Sequence, residues 1–218
     1  SRVATLTCGL AEAIDRGGEG AYRGVHFTRE QMRELRYAGL LHDFGKVGVR
    51  EQVLVKQKKL YPSDLAIITH RFQWLLQRAD LEYERERAEY LVNFGQDRYT
   101  QVLADLDSRR RAKREELQRY LDSIVQANEP TILPEGTFDE LEAINARTFL
   151  DFDGIEKPLL SDDELRYLMI NKGNLDPRER REIESHVTHT FRFLEQIPWT
   201  SELRRIPEIA YGHHEKLN

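Results

Sequence analysis

The chain has 218 residues, of which 39% are hydrophobic and 33% are charged. This length suffices for one well-buried domain, or one domain with a large excursion, and the balance fits a helical protein with highly charged outer faces better than a disordered tail. The formal net charge of -5 argues against a surface for nucleic-acid polymers, which carries a positive excess against phosphates.

Targeting signals and cysteine usage restrict the class of protein further. No run approaches the roughly 18 consecutive apolar residues of a membrane span, and the first residues do not resemble a signal peptide. The single cysteine, Cys8, excludes a disulfide framework and is interpreted as an ordinary buried thiol. These features predict a protein without a membrane span in a reducing, cytoplasmic compartment.

The first predicted helix covers residues 2–14 and ends at Gly17-Gly18. Its apolar side chains recur at three- and four-residue spacings, which is typical of a helix with one buried face. They are Val3, Leu6, Leu10 and Ile14.

A second helix is predicted over residues 29–42. Thr28 is its N-cap, because the hydroxyl can accept a hydrogen bond from backbone amides of the first turn. Gly45 and the β-branched residues near it break the helical pattern immediately afterwards. His42 and Asp43 are therefore expected at a helix end, where side chains are well placed to be exposed.

The middle of the chain is rich in charged residues. Pro62 and Ser63 begin a helix, and from Arg71 to Gln126 there is no proline and one glycine, Gly95. This pattern predicts either one long helix or two helices packed as a hairpin. The buried stripe of its first part is expected to comprise Leu65, Ile68, Phe72, Leu75 and Leu76.

The last third of the chain returns through loops to further helices. Residues 128–158 are rich in proline and glycine, which predicts a loop with one helix around residues 138–147. Two more helices are predicted, at residues 176–195 and 201–214. Because no strand pattern persists, the fold class is predicted to be all-α.

His42 and Asp43 offer an imidazole and a carboxylate from consecutive residues. This mixture suits a divalent or ferric first-row metal better than a structural zinc site, which would recruit cysteines. The carboxylate can bridge two ions. Lys46 follows one turn later, where its ammonium group can meet a phosphate oxygen.

Further histidines can complete a metal cluster. His213 and His214 are adjacent, and neighbouring helical side chains diverge by about 100°, so this pair is expected to serve different ions of a multinuclear centre. His186 and His189 lie three residues apart on nearly the same face of a predicted helix. Each histidine alone is weak evidence for a metal site, and the combination carries the prediction.

Three segments of the chain resemble the HD-GYP subgroup of the HD superfamily of phosphohydrolases. Residues 41–49, LHDFGKVGV, resemble its hallmark segment, and residues 211–218, YGHHEKLN, resemble the stretch before its Gly-Tyr-Pro loop. Residues 173–190, from GNLDP to HVTHT, resemble the metal-binding helix between them. The resemblance covers roughly the first seventy and the last fifty residues.

The resemblance implies an HD-superfamily helical bundle formed by residues 1–70 and 159–218. Residues 71–158 are then an insertion, expected to form a charged helical hairpin or coiled coil. In the family, a metal-binding histidine precedes the segment resembling residues 1–4, and the Gly-Tyr-Pro loop and an aspartate ligand follow the segment ending at Asn218. We therefore expect a piece of a longer protein, trimmed at both ends and not necessarily active alone.

Two parts of the chain resemble the family's metal-binding helix segment. One is residues 173–190 with His186, and the other is residues 59–62 followed by His70. The copy around His186 keeps the family-like spacing of eleven from its leucine, whereas the copy around His70 has ten, which turns the side chain by about 100° on a helix. His186 is the favoured ligand. His189 is then expected beside the site.

The resemblance implies a phosphodiesterase that hydrolyses cyclic di-GMP to a linear dinucleotide, which some members of the family cleave further to GMP. Asp43 and Lys46 are the implied catalytic residues. A cluster of two or three ions, iron or manganese with zinc as a further candidate, is implied. Its implied ligands are His42, Asp43, His186, His213 and His214.

The remaining expectations concern the binding partners of the chain and two alternative functions. The resemblance implies an upstream sensory or receiver domain, and the helical insertion can pair with a second copy as a homodimer or pack back on its own chain. Two other functions stay open. One is an HD phosphohydrolase acting on another nucleotide, and the other is a degenerate regulatory or dimerisation module.

Overall fold

The computed structural model describes residues 1–17 and 20–216. Gly18, part of the predicted end of the first helix, and Leu217 and Asn218 of the last resembling segment lie outside the described residues. The chain divides into two compact units, Ser1–Val55 with Pro177–Asn218 and Lys56–Asp176. The content is 66% helix and 3% strand, which confirms the all-α prediction.

The first unit is built from short helices. They are α1 (Arg2–Arg16), α2 (Arg29–Leu41), α3 (Glu51–Leu54), α8 (Pro177–Glu184), α9 (His186–Glu195) and α10 (Ile206–Tyr211). Two 3₁₀ turns, Phe44–Gly48 and Gly212–His214, follow α2 and α10. A core cluster of Ala38, Leu194, Ile206 and Ala210 holds α2, α9 and α10 together.

Helix α1 forms where it was predicted, but its buried face is different. Ala4 and Ala11 are buried, whereas Leu6 and Leu10 are 72% and 64% exposed. The reason is close packing: a Cβ atom on Gly39 of α2 would lie 2.8 Å from the Cα atom of Ala4. Only small side chains allow two helices to approach this closely, so the small face of α1 is buried instead of the large apolar one.

Helix α2 begins and ends as predicted. The Thr28 hydroxyl accepts from the Gln31 amide at 3.2 Å, and the Gln31 side chain accepts from the Thr28 amide at 2.8 Å, which completes a capping box. The helix ends at Leu41, so His42 lies at the helix end. The buried carboxylate of Glu34 accepts from the Arg205 amide at 2.9 Å and connects α2 to the start of α10.

The two helices predicted near the C-terminus were predicted too long. Residues 176–195 form α8 and α9 with a break at Ser185, whose hydroxyl donates to the Glu182 carbonyl at 2.7 Å and so competes with the helical backbone pattern. Residues 201–205 form turns, and α10 begins only at Ile206. Pro207 lies in its first turn, where proline is favoured because no backbone donor is needed there.

The second unit contains the helical hairpin. Its elements are α4 (Pro62–Phe94), α5 (Tyr99–Ala127), α6 (Thr137–Asn145), α7 (Asp162–Leu168) and the antiparallel strands β1 (Thr148–Leu150) and β2 (Glu156–Pro158), with Phe149 opposite Lys157. The hairpin is thus the observed alternative, and Gly95 ends α4 with a φ of +65° that favours glycine. The strand pair and α7 were not predicted.

The core of the second unit follows the predicted stripe in part. Ile68 and Phe72 are fully buried, and Leu65, Leu75 and Leu76 are partly buried beside them. Packing divides the chain after residues 55 and 176, whereas the predicted division at residues 70 and 158 followed motif resemblance and stays a prediction.

Lys59 is the most deeply buried of the charged side chains described in this second unit. Lys59 is 0% exposed, and its ammonium nitrogen is 3.3 Å from the Leu168 carbonyl at the end of α7. Burial lowers the pKa of Lys59 from 10.5 to about 8. No helix in the described part of the chain is long and apolar enough to cross a membrane.

Candidate metal centre

The first unit brings together all the predicted site residues. His42 lies at the end of α2, Asp43 directly precedes the 3₁₀ turn Phe44–Gly48, and Lys46 belongs to that turn. His186 is the first residue of α9. The 3₁₀ turn after α10 carries His213 and His214.

Three of the histidines are oriented in the same way. Each places Nδ1 against the carbonyl oxygen three residues earlier, in the last turn of a helix, where carbonyls lack a helical partner. The pairs are His42 with Gly39 at 3.0 Å, His186 with Ile183, and His213 with Ala210 at 2.6 Å. A carbonyl only accepts, so Nδ1 carries the proton, and in the neutral ring Nε2 presents a lone pair.

The Nε2 atoms converge on the carboxylate of Asp43. Its Oδ2 atom lies 3.2 Å from His42 Nε2, and its Oδ1 atom lies 3.5 Å from His186 Nε2 and 4.0 Å from His213 Nε2. His186 Nε2 and His213 Nε2 are 3.2 Å apart. In the neutral rings, the Nε2 lone pairs therefore point at one another and at the Asp43 carboxylate with no proton between them. A bound cation stabilises such an arrangement.

The spacing of these atoms fits a shared ion. Bonds of about 2.0–2.2 Å from nitrogen and oxygen ligands to a first-row metal place neighbouring ligand atoms roughly 3 to 3.5 Å apart. Ligand atoms of His186, His213 and His214 all lie within 4.8 Å of one another. Both members of the adjacent pair thus belong to one cluster, with ring centroids 4.2 Å apart, so their adjacency does not in itself require separate ions.

Burial and charge favour the protonation states that metal binding requires. Burial lowers the pKa of His213, an effect that the nearby charges of His214 and His42 add to and the hydrogen bond to Ala210 opposes. Burial alone would raise the pKa of Asp43, but the hydrogen bond from Lys46 opposes it and the pKa is lowered. A neutral imidazole and an ionised carboxylate are the ligand forms.

Lys46 completes the exposed side of the cluster. Its ammonium nitrogen donates to Asp43 Oδ2 at 2.8 Å, so this oxygen is shared between Lys46 and His42. The Lys46 side chain is 42% exposed. An ammonium group placed there can keep one bond to Asp43 and offer its other donors to an anion from solvent.

Thr190 belongs to the site and was not predicted. Its hydroxyl accepts from the Gly45 amide at 2.8 Å and donates to the His42 carbonyl at 3.1 Å. The residue is 0% exposed. In the sequence, its position one turn after His186 shows only that the two residues share a helix face, and nothing marks its bonds to His42 and Gly45.

Three other histidines, His26, His70 and His189, lie outside the cluster, and His26 has its Nδ1 atom 3.2 Å from the Asp15 carboxylate. His70 is an exposed residue of α4 in the second unit, with Nδ1 3.2 Å from the Gln73 side chain. His189 is exposed on α9, and its Nδ1 atom would be 3.0 Å from a Cβ atom on Gly48. The geometry therefore favours His186 among the histidines considered for the third motif.

Comparison with known families agrees with this site. Residues 163–218 match the family model described as HD domain, a segment that includes His186, His213 and His214. This match supports membership of the HD superfamily. Members of the superfamily are in general metal-dependent phosphohydrolases. The match spans less than half of the chain and does not reach His42 or Asp43, and no curated protein or solved structure matches.

Proposed function

We propose that this chain is the metal-binding part of a phosphodiesterase of the HD-GYP type, which opens cyclic di-GMP to a linear dinucleotide and cleaves that to GMP. One observation carries the proposal: three Nδ1-anchored imidazoles aim their Nε2 atoms at the carboxylate of Asp43. The HD domain match supports the broader assignment to metal-dependent phosphohydrolases.

The donor set fits iron or manganese, since it combines imidazole and carboxylate without cysteine, and zinc is compatible with it. A divalent or ferric ion bound there would supply Lewis-acid chemistry and lower the pKa of water. His42, His186 and His213 would hold it through Nε2, and His214 would add a further nitrogen. The two oxygens of Asp43 face different histidines, so the carboxylate would be a ligand as well.

Asp43 and Lys46 act on the reacting phosphate in this proposal. Lys46 stays bonded to Asp43 Oδ2, which holds its ammonium group beside the histidine cluster. Its remaining donors neutralise the charge that builds up on the phosphoryl oxygens as the leaving ribose oxygen departs. The carboxylate of Asp43 remains ionised, because the bond from Lys46 favours its charged form.

The proposal extends to partners and to an alternative substrate. An upstream sensory or receiver domain would control the site, and the α4–α5 hairpin would pair with a second copy. The family match supports nucleotide phosphohydrolases as a class, so hydrolysis of a different nucleotide is the alternative.

The test compares the chain with a His42→Ala, Asp43→Ala double variant, in manganese or ferrous buffer, with cyclic di-GMP and a panel of other cyclic and linear nucleotides as substrates. Removal of both groups should lower turnover at least about 100-fold, since it takes away metal ligands and the partner of Lys46. The control is His70→Ala, a histidine outside the cluster, which should hydrolyse like the unaltered chain.

Each outcome of this comparison is decisive. If the chain prefers another nucleotide, that nucleotide replaces cyclic di-GMP as the proposed substrate, and the assignment as a phosphohydrolase stands. Equal and measurable turnover by the double variant and the unaltered chain would reject the site.

A further inference from the structure

The buried hydroxyl of Thr190 connects helix α9, which carries His186, to the turn that carries His42 and Asp43. It bonds the Gly45 amide at 2.8 Å and the His42 carbonyl at 3.1 Å, two backbone groups that flank Asp43. These partners are 145 and 148 residues away along the chain. A helical threonine more often donates to the carbonyl four residues earlier, which here belongs to His186. The Thr190 hydroxyl donates to His42 instead.

Helix α9 presents Thr190 and His186 together. The two residues are four positions apart, so their side chains lie on one face of the helix. His186 supplies a candidate ligand, and Thr190 holds the turn that carries His42 and Asp43. Helix α9 fixes His186 relative to Thr190, and two hydrogen bonds join Thr190 to the turn. Together they set the distance from His186 to His42 and Asp43.

The turn lies so close to helix α9 that a residue larger than glycine does not fit at position 45. A Cβ atom on Gly45 would lie 2.8 Å from the Thr190 hydroxyl and 2.0 Å from the His186 carbonyl, so any larger residue would push the turn away from α9. Phe44 also stacks on Phe193 of α9, with ring centroids 4.1 Å apart. This stacking does not depend on the hydroxyl, so loss of the hydroxyl leaves the turn attached but less well defined.

We propose that Thr190 is a positioning residue, whose hydroxyl fixes His42 and Asp43 at the distance from His186 that one shared ion requires. The inference rests on the proposed function only in naming the ion as the ligand of this cluster. The hydroxyl is bonded to two backbone groups and is not one of the proposed ligands. It acts through the backbone on both sides of Asp43, and we expect it to change metal affinity without changing the set of ligands.

The variants Thr190→Val and Thr190→Ser separate this role from packing. Valine has a similar shape but cannot bond Gly45 or His42, whereas serine keeps the hydroxyl. Calorimetric titration of the metal-free chain with Mn²⁺ should give about tenfold weaker binding for the valine variant, the usual lower limit for loss of a group that orients metal ligands. The serine variant should bind within about twofold of the unaltered chain. Thr188→Val, on the same helix, is the matched control and should bind normally.

A second measurement needs no metal. Exchange of the Gly45 amide hydrogen should be at least about tenfold faster in Thr190→Val and unchanged in Thr190→Ser, because the hydroxyl is the acceptor of that amide. If the unaltered chain binds no Mn²⁺, the proposed function fails, and Gly45 exchange still decides whether Thr190 holds the turn.

Two results would overturn the inference. One is a valine variant that unfolds at lower temperature but binds Mn²⁺ as tightly as the unaltered chain, which would make Thr190 a packing residue. The other is unaltered exchange of the Gly45 amide in that variant.

Discussion

Replacement of Gly45 by alanine tests how closely the His-Asp turn must approach helix α9. The added Cβ atom would lie 2.0 Å from the His186 carbonyl oxygen and 2.6 Å from the Thr190 amide nitrogen. Both are backbone atoms of α9, so neither can rotate away. An ordinary carbon–oxygen contact is about 3.2 Å or more, so the turn must move outward by roughly 1 Å.

The expected cost follows from two contributions. Overpacking a close-packed site costs about 1–3 kcal/mol, and weakening the Gly45 hydrogen bond to Thr190 adds about 1 kcal/mol. Gly45→Ala should therefore lower the free energy of unfolding by about 2–4 kcal/mol, measured by urea denaturation. A shift of this size at His42 and Asp43 should also weaken Mn²⁺ binding in the folded variant.

Gly9→Ala is the matched control, because a Cβ atom on this residue of α1 would have no neighbour within 4 Å. Alanine in an open helical position should raise the free energy of unfolding by about 0.5–1 kcal/mol. A Gly45→Ala variant whose free energy of unfolding lies within about 1 kcal/mol of the unaltered chain, and which binds Mn²⁺ equally well, would show that the turn need not approach α9 so closely.

Two further predictions concern stability. The lowered pKa of Lys59, about 8 when folded and 10.5 when unfolded, makes the unfolded chain bind more protons between these values, so stability should rise with pH from 8 to 10.5. Lys59→Met should remove that rise. It should also raise the free energy of unfolding at pH 7, measured by urea denaturation, by about 2 kcal/mol, because desolvation of the ammonium group costs about 3 kcal/mol and its bond to Leu168 contributes about 1 kcal/mol. An unchanged dependence of stability on pH would contradict this prediction. Thr28→Ala should cost about 1 kcal/mol through loss of the α2 cap, whereas an unaltered thermal midpoint would show that the cap contributes nothing.

The parts of the site that local sequence determines could be predicted. The Thr28 cap and the glycines after Asp43 depend on neighbours in the chain, and they place His42 at a helix end as predicted. His186 was favoured over His70 by spacing, and the structure places His186 beside Asp43 in the first unit, whereas His70 bonds Gln73 in the second.

Other features depend on partners that are distant along the chain. The hydroxyl of Thr190 bonds residues 145 and 148 positions away, so no local pattern identifies it. The buried face of α1 is chosen by its contact with Gly39, which favours Ala4 over the larger Leu6. Periodicity shows that a helix is amphipathic, but which face is buried depends on how closely the neighbouring helix can approach.

Anomalous X-ray diffraction from crystals of the chain soaked in Mn²⁺ would show whether this one cluster of side chains binds metal. We expect an anomalous peak within about 2.0–2.3 Å of Nε2 of His186 and His213 and of a carboxylate oxygen of Asp43. Crystals with full Mn²⁺ occupancy elsewhere and none at these atoms would contradict it.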